Sequence, residues 1–287
     1  MKPGTNPFKQ FVTAHARLFR SGIRLPLGRP PKLPRRPPMP GRAPKVLMFS
    51  PHPDDECIVG ALALRLLREA KWNVVNVAVS LGSNPDRQAV RLRELKDACD
   101  MLGFDLALSN RVTLRPEIRR QHPARWRKAV KNTARMLART RPRVIFLPHA
   151  NDAHPAHVGT HRLVLDALKL LPAAFRCCVV ETEFWGQMTE PNLLVESSIA
   201  DVADLTAALA CHAGEVRRNP YHARLPAWLM DNVRRGAEQV GRRGGAAPDF
   251  TFATLYRLRH WSRGRLADAV RTGQLLSKTQ NPITLFQ

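Results

Sequence analysis

The first 53 residues contain no aspartate or glutamate. They carry eleven lysines and arginines, eleven of the chain's 23 excess positive charges, and the remainder of the chain is still basic by twelve. Such an imbalance favours polyanionic partners: nucleic acid, anionic lipid or a phosphorylated substrate. Cysteine is scarce. Cys57, Cys99, Cys177, Cys178 and Cys211 are odd in number, scattered and without a CxxC pair, which excludes a disulfide framework and a cysteine zinc site and predicts reduced, mostly buried thiols. Long apolar runs are missing too. Nothing approaches the ~20 uninterrupted apolar residues of a membrane span, and the N-terminus shows no compact apolar segment with the cleavage site of a secretory signal. Cytoplasmic residence is the resulting expectation, with peripheral contact at the inner membrane surface through the tail.

What is present divides the chain in two. Residues 45–287 are expected to form one α/β domain with C-terminal cover segments, since a 287-residue chain of 44% hydrophobic content can bury a sizeable core. Residues 1–44 read as a basic tail. Phe8, Phe11, Val12, His15, Leu18, Phe19 and Ile23 recur at helical spacing with cations on other faces, which suits a helix lying on an anionic bilayer or packed on the body. Pro26 to Pro44 then brings eight prolines in nineteen residues, the composition of an extended linker.

Within the body, the apolar run Val46–Phe49 ends at Pro51 and Pro53 and reads as a buried strand. Ile58, Leu62 and Leu66 recur at helical spacing and predict a helix from Asp55, so His52, Asp54 and Asp55 fall on a strand-to-helix turn. Val74–Val79, Arg143–Pro148, Cys177–Thr182 and Leu193–Ile199 read as further strands, 105–114 and Phe250–Leu258 as weaker ones. Arg87–Gly103, Ala124–Thr140, Leu163–Leu171 and Asp201–Val216 read as helices, the last capped by Asp201. Arg217–Gly245 reads as basic and polar, with a flexible loop at Arg242-Arg243-Gly244-Gly245. This alternation predicts a Rossmann-like, doubly wound, mostly parallel sheet with helices on both faces. A second polar cluster, His149 to His161, follows the Arg143–Pro148 strand and holds four of the ten histidines. If the two strands are neighbours at the switch point of the sheet, both loops reach one crevice.

A hydrolytic metal site needs about three histidine or carboxylate ligands and a position left open for water. His52, Asp55 and His157 supply such a set, and Asp54 beside it is placed to take a proton from the water. First-turn acids also complement the helix dipole, but that leaves His52 and the distant histidine cluster without a reason.

Pro51-His52-Pro53-Asp54-Asp55-Glu56, with Asp152-Ala153-His154-Pro155-Ala156-His157 later, resembles the PIG-L/LmbE-like de-N-acetylase superfamily, whose signatures are a His-Pro-Asp-Asp-Glu turn and a His-Pro-Asp-His turn. The resemblance extends more weakly through Arg91-x-x-Glu94, Ala98, Leu102-Gly103 and the Ala207–His212 helix. It implies Zn2+ held by His52, Asp55 and His157, Asp54 as general base, and His154 as the group that stabilises the tetrahedral intermediate or protonates the leaving amine. Glu56 and Asp152 stand beside these as supporting residues. Arg91, Trp185 and His212 are the candidate substrate contacts. The chain departs from the pattern twice: the aspartate between the later histidines is Ala156, and the Ser-Gln that commonly follows the late-helix histidine is Gly214-Glu215.

The implied activity is removal of an acetyl group from an N-acetylated amino sugar on a glycolipid, sugar-nucleotide or other glycoconjugate, the substrate being anionic to suit the basic body. One alternative is a zinc amidase acting on a larger acyl or conjugate amide. Another is a non-enzymatic, basic nucleic-acid-binding protein with a relict site. The sparse aromatics of the tail, the lack of a nucleic-acid module and the full ligand set argue against the latter.

Overall fold

The structure is a computed structural model that describes residues 6–109, 114–240, 244–270 and 272–287. Its chain order is α1 (Lys9–Ile23), β1 (Lys45–Ser50), α2 (Asp55–Ile58), α3 (Ala61–Arg68), β2 (Asn73–Ala78), α4 (Pro85–Leu102) and β3 (Asp105–Leu108), followed by α5 (Ile118–Gln121), α6 (Pro123–Thr140), β4 (Val144–Pro148) and α7 (Pro155–Leu168). The last part comprises β5 (Cys177–Thr182), β6 (Leu193–Ser197), α8 (Ile199–Cys211), α9 (Ala213–Val216), α10 (Tyr221–Gln239), β7 (Phe252–Ser262), β8 (Arg265–Asp268) and β9 (Gln274–Leu276).

Successive side chains of a strand point to opposite faces, and β1 is apolar on both. Val46 and Met48 join a core layer with α3, α4 and α8, whereas Leu47 and Phe49 join a second layer with α6 and α7. A strand buried on both faces belongs inside a sheet covered by helices on each side. The order is β3-β2-β1-β4-β5-β7-β6-β9, with β8 paired to β7. The first five strands are mutually parallel, and β7 runs antiparallel between β5 and β6. The expected doubly wound, mostly parallel architecture is therefore present. Because the chain leaves β1 towards β2 on one side and returns at β4 on the other, the carboxyl ends of β1 and β4 flank the crevice of the switch point.

Several local expectations change. The helix expected from Asp55 is broken into α2 and α3; the buried Tyr256 hydroxyl donates to the Val59 carbonyl (2.7 Å) and accepts from Leu62 N–H (3.1 Å), satisfying groups freed by the break. The second polar cluster is only partly a loop, since α7 starts at Pro155 and carries His157 and His161. Ser198, not Asp201, caps α8, its Oγ accepting from Asp201 N–H at 3.0 Å. The basic stretch after Arg217 contains the 19-residue α10, whose buried Leu225, Leu229 and Val233 repeat every four residues but are diluted by arginines and Pro226. Residues 110–113 of the weak 105–114 strand, and Arg242-Arg243 of the expected loop, lie outside the described residues.

The proline-rich segment is not a free linker. Leu27, Leu33 and Met39 pack against the core, Gly28 N–H donates to the Ala210 carbonyl at 2.9 Å, Arg29 pairs with Asp97 and Asp100, and Arg36 pairs with Asp105. Proline removes backbone donors but fixes an extended path, so side chains hold it as a strap on the body. No described helix is long and apolar enough to cross a membrane.

Candidate active site

The turn after β1 is built to aim carboxylates. Asp54 has φ 115°, a region that a residue with a Cβ enters only under constraint from its surroundings. Those constraints are visible. Asp54 N–H donates to Glu56 Oε2 at 3.1 Å, Ser80 Oγ donates to the Pro51 carbonyl at 2.8 Å, and Arg91 Nη2 donates to the Pro53 carbonyl at 3.1 Å. Gly82 (φ 90°) lets the arginine reach this position, because a Cβ there would lie 2.2 Å from Arg91 Nη1. Glu56 is wholly buried, and its Oε1 accepts from His212 Nε2 at 2.7 Å and from the Cys57 thiol at 3.2 Å.

These contacts correct one expectation: His212 is buried behind the turn and pairs with Glu56 instead of facing a cleft. Arg91 lines the cavity and is also tied to the turn backbone. Glu56, Cys57 and His212 bring potential ligand atoms within 4.8 Å of one another. Their polar atoms already satisfy each other, however, and burial followed by the Glu56 charge pushes the Cys57 thiol well up, keeping it protonated. This trio is a support, not a metal centre.

The other side of the crevice comes from β4 and α7. His154 caps α7: its Nδ1 accepts from Ala156 N–H at 3.2 Å, so the neutral ring carries its hydrogen on Nε2. Burial, then His52 and His157, lower the His154 imidazole to about 4. Asp152 accepts from His154 N–H through Oδ1 (2.8 Å) and sets Oδ2 3.3 Å from His157 Nδ1. The carboxylate absent at Ala156 is thus partly replaced by Asp152, which braces both histidines. Burial alone would raise Asp152, but its hydrogen bond and charge contact with His157 bring it below the usual carboxylate range.

His52, Asp55 and His157 converge. Asp55 Oδ1 lies 3.4 Å from His157 Nε2, and Oδ2 accepts from His52 N–H at 2.7 Å with His52 Nδ1 at 3.7 Å. Asp55 Oδ1 and His157 Nε2 are buried with no hydrogen-bond partner. Buried polar atoms are normally paired, and two such orphans facing one another, beside a second imidazole, have the chemistry of a cation site. Burial would raise Asp55, yet His157 and His52 hold it below its ordinary value, which favours its anionic form; burial would lower His157, yet Asp55 and Asp152 raise it. The carboxylate on the far nitrogen of His157 is the usual orienting partner of a metal-bound imidazole. His52, His154 and His157 also approach within 4.8 Å through ligand atoms, but His154 offers this cluster an N–H and is better suited to donate.

A cavity of ≈330 Å³ opens beside these groups, lined among others by His52, Asp54, Arg87, Arg115, His154 and Trp185. Burial, then Asp55 and Glu56, push the Asp54 carboxyl well above the carboxylate range. One wall is aromatic: Trp185 lies 5.7 Å from the His154 ring, and Phe184 packs on Trp185 (5.0 Å), Tyr221 (5.7 Å) and Trp228 (5.6 Å). The wall is anchored by the buried pair of Glu183 with Arg235 of α10, Nη2 to Oε2 at 2.9 Å. Trp185 remains 48% exposed, open to a ring stacked on it.

Sequence reasoning missed most of the rim. Arg115, Glu215 and Arg218 line the cavity, and Arg87, at the start of the helix expected over Arg87–Gly103, does so too. Arg115 is carried in by a backbone crossing over α7 at Gly159, where a Cβ would lie 1.7 Å from the Leu114 carbonyl oxygen. A glycine inside an otherwise helical stretch was the available signal. Arg218 is neutralised by Glu215, whereas Arg87 and Arg115 meet no acidic side chain within ion-pair distance among the described residues.

Comparison with known proteins agrees with this geometry. Residues 47–168 match the family described as PIG-L, GlcNAc-PI de-N-acetylase. The matched stretch, similar to that family, holds both loops and all six of His52, Asp54, Asp55, Asp152, His154 and His157, while the aromatic wall and His212 lie C-terminal to it. No curated protein matches the chain. Among solved structures, N,N'-diacetylchitobiose deacetylase from Pyrococcus horikoshii is similar with 18% identity, covering 89% of this chain and 94% of that one, TM-score 0.56. The A40926 pseudoaglycone deacetylase Dbv21 is 16% identical over 74% of this chain and 96% of its own, TM-score 0.54. GalB, the 4-carboxy-2-hydroxymuconate hydratase from Pseudomonas putida KT2440, is 16% identical over 75% and 95%, TM-score 0.56. At these identities the likeness concerns the fold, and a hydratase on the same fold means that the reaction has to be argued from the site.

Proposed function

We propose that this protein is a zinc-dependent hydrolase that removes the acetyl group from an N-acetylated amino sugar carried on an anionic glycoconjugate. The observation that carries the reading is the buried, unpartnered pair Asp55 Oδ1 and His157 Nε2 beside His52, which itself lines the cavity together with Asp54 and His154. The similarity of residues 47–168 to the PIG-L family and the two deacetylases that share the fold support it.

His52, Asp55 and His157 would hold the zinc, which when bound supplies Lewis acidity and a lowered pKa for water. Asp54 takes a proton from that water, and a carboxyl raised by burial is better matched to this task near neutrality than an ordinary aspartate. The water oxygen attacks the acetamide carbon. His154 Nε2–H donates to the carbonyl oxygen as negative charge develops on it, a contribution of about 2.7–4 kcal/mol where such donors have been removed from other enzymes. The C–N bond then breaks, the proton held by Asp54 passes to the departing amine, and acetate and a free amino sugar result. Trp185 presents its exposed face to the sugar ring.

Arg87 and Arg115, cavity arginines that pair with no acid among the described residues and, unlike Arg91, are not held by the Pro53 carbonyl, are the contacts for the anionic carrier. Acetate release from neutral and from phosphorylated N-acetylglucosaminyl compounds tests this. The phosphorylated compound is expected to be preferred, with Arg87→Gln/Arg115→Gln raising its KM at least about tenfold, the loss of about 1.4 kcal/mol. The neutral compound should be unaffected. No acetate from any N-acetylated amino sugar would sink the reading.

A further inference from the structure

The apolar face of α1 has two fates. Near its C-terminal end, Phe19 lies under the Arg224 guanidinium, 5.0 Å from the ring centroid, and Gly22 packs on Ala223, so this end is fixed to α10. Towards the N-terminus the same face overhangs the body. Phe8 is 69% exposed, Phe11 68%, Val12 61% and Leu18 71%. At 100° per residue these side chains share one side of the helix with Phe19, while Lys9, Arg17, Arg20 and Arg24 lie round the rest of it. A contiguous apolar patch of this kind marks an interaction surface.

Two cations of the strap are spent on the body: Arg29 on Asp97 and Asp100, Arg36 on Asp105. Lys9, Arg17, Arg20 and Arg24 meet no acidic side chain within ion-pair distance among the described residues. A second copy of this chain would bring its own excess of positive charge, +23 in all, against them. An anionic bilayer offers what both groups lack, an apolar layer for the phenylalanines and negative headgroups for the cations.

We propose that α1 docks this protein onto an anionic lipid bilayer, with Phe8, Phe11, Val12 and Leu18 entering the interface and the unpaired cations meeting the headgroups. Because the strap and α10 hold the helix in place, docking fixes the orientation of the body as well.

The test is co-sedimentation of the full chain with vesicles of phosphatidylcholine containing about one-third phosphatidylglycerol, and with phosphatidylcholine alone. Two variants accompany it, Phe11→Asp/Leu18→Asp and Arg17→Gln/Arg20→Gln, whose exposed positions predict an unchanged thermal midpoint. The wild type should sediment with the anionic vesicles and far less with the neutral ones. Each variant should partition at least about tenfold more weakly, which corresponds to about 1.4 kcal/mol. Three results would overturn the proposal. One is no sedimentation of the wild type. Another is undiminished sedimentation of the Phe11→Asp/Leu18→Asp variant, which would move binding to another basic surface such as α6. The third is a concentration-dependent dimer lost in that variant, which would make a second copy the occupant.

Discussion

At the scale of single residues, the decisive arrangement is a hierarchy in which each chemical group is held by a less visible one. Asp54 sits in a backbone conformation that it would not choose alone; Glu56 takes its N–H, and His212 takes Glu56. His212 is thus a positioning residue, and its removal leaves a buried carboxylate short of a partner. His212→Ala is expected to cost about 3–5 kcal/mol of stability, the range for unpairing a buried charge, and to lower kcat more than KM because the aim of Asp54 is lost. His212→Gln, which keeps a donor, should recover part of both. Denaturant unfolding together with steady-state kinetics checks this; a fully stable His212→Ala protein would contradict the role. The same logic accounts for Ala156. The aspartate missing there is offset by Asp152, which reaches His154 through its backbone and His157 through its ring.

At the scale of elements, the proline-rich strap behaves differently from what its composition suggests. Polyproline stretches are read as linkers because their backbone makes no ladder, yet Leu27, Leu33 and Met39 and two arginines tie this one to α4 and β3. The Asp105 end is pH-sensitive. Burial would raise Asp105, but the Arg36 hydrogen bond and charge outweigh it and the folded carboxyl lies below its ordinary value of 3.8. A depressed carboxylate contributes its stability above the unfolded pKa and loses it as pH falls through the folded one. Limited proteolysis of residues 26–44 should therefore be equally slow at pH 7 and pH 5 and accelerate only below about 4, where the unfolded reference carboxylate titrates. Asp105→Asn should weaken that dependence and already be faster at pH 7. Equal rates for both proteins at every pH would mean that the ion pair holds nothing.

At the scale of the whole molecule, two loops that are remote in sequence meet because β1 and β4 are neighbours where the winding of the sheet reverses. That much was legible in the chain: both clean apolar runs end in clusters of histidine and carboxylate, and their periods mark strands and helices. Groups whose roles depend on non-local contacts were not legible. His212 falls on a helix that could have faced either way, Arg91 is claimed by the Pro53 carbonyl, and Arg115 enters the cavity only because Gly159 admits a backbone crossing. The break between α2 and α3 likewise depends on Tyr256, far away in sequence. Local pattern placed the histidines and carboxylates of the two loops, and long-range packing chose what surrounds them.

The central claim is that one set of residues holds the metal and another, adjacent in sequence, moves the proton. It is tested most directly by measuring zinc content and acetate release on the same preparations of wild type and Asp54→Asn. The account predicts equal zinc in both and a fall of roughly 10²–10⁴-fold in kcat for the variant, the usual contribution of a general base. An Asp54→Asn protein that retains its zinc and releases acetate at the wild-type rate would contradict it.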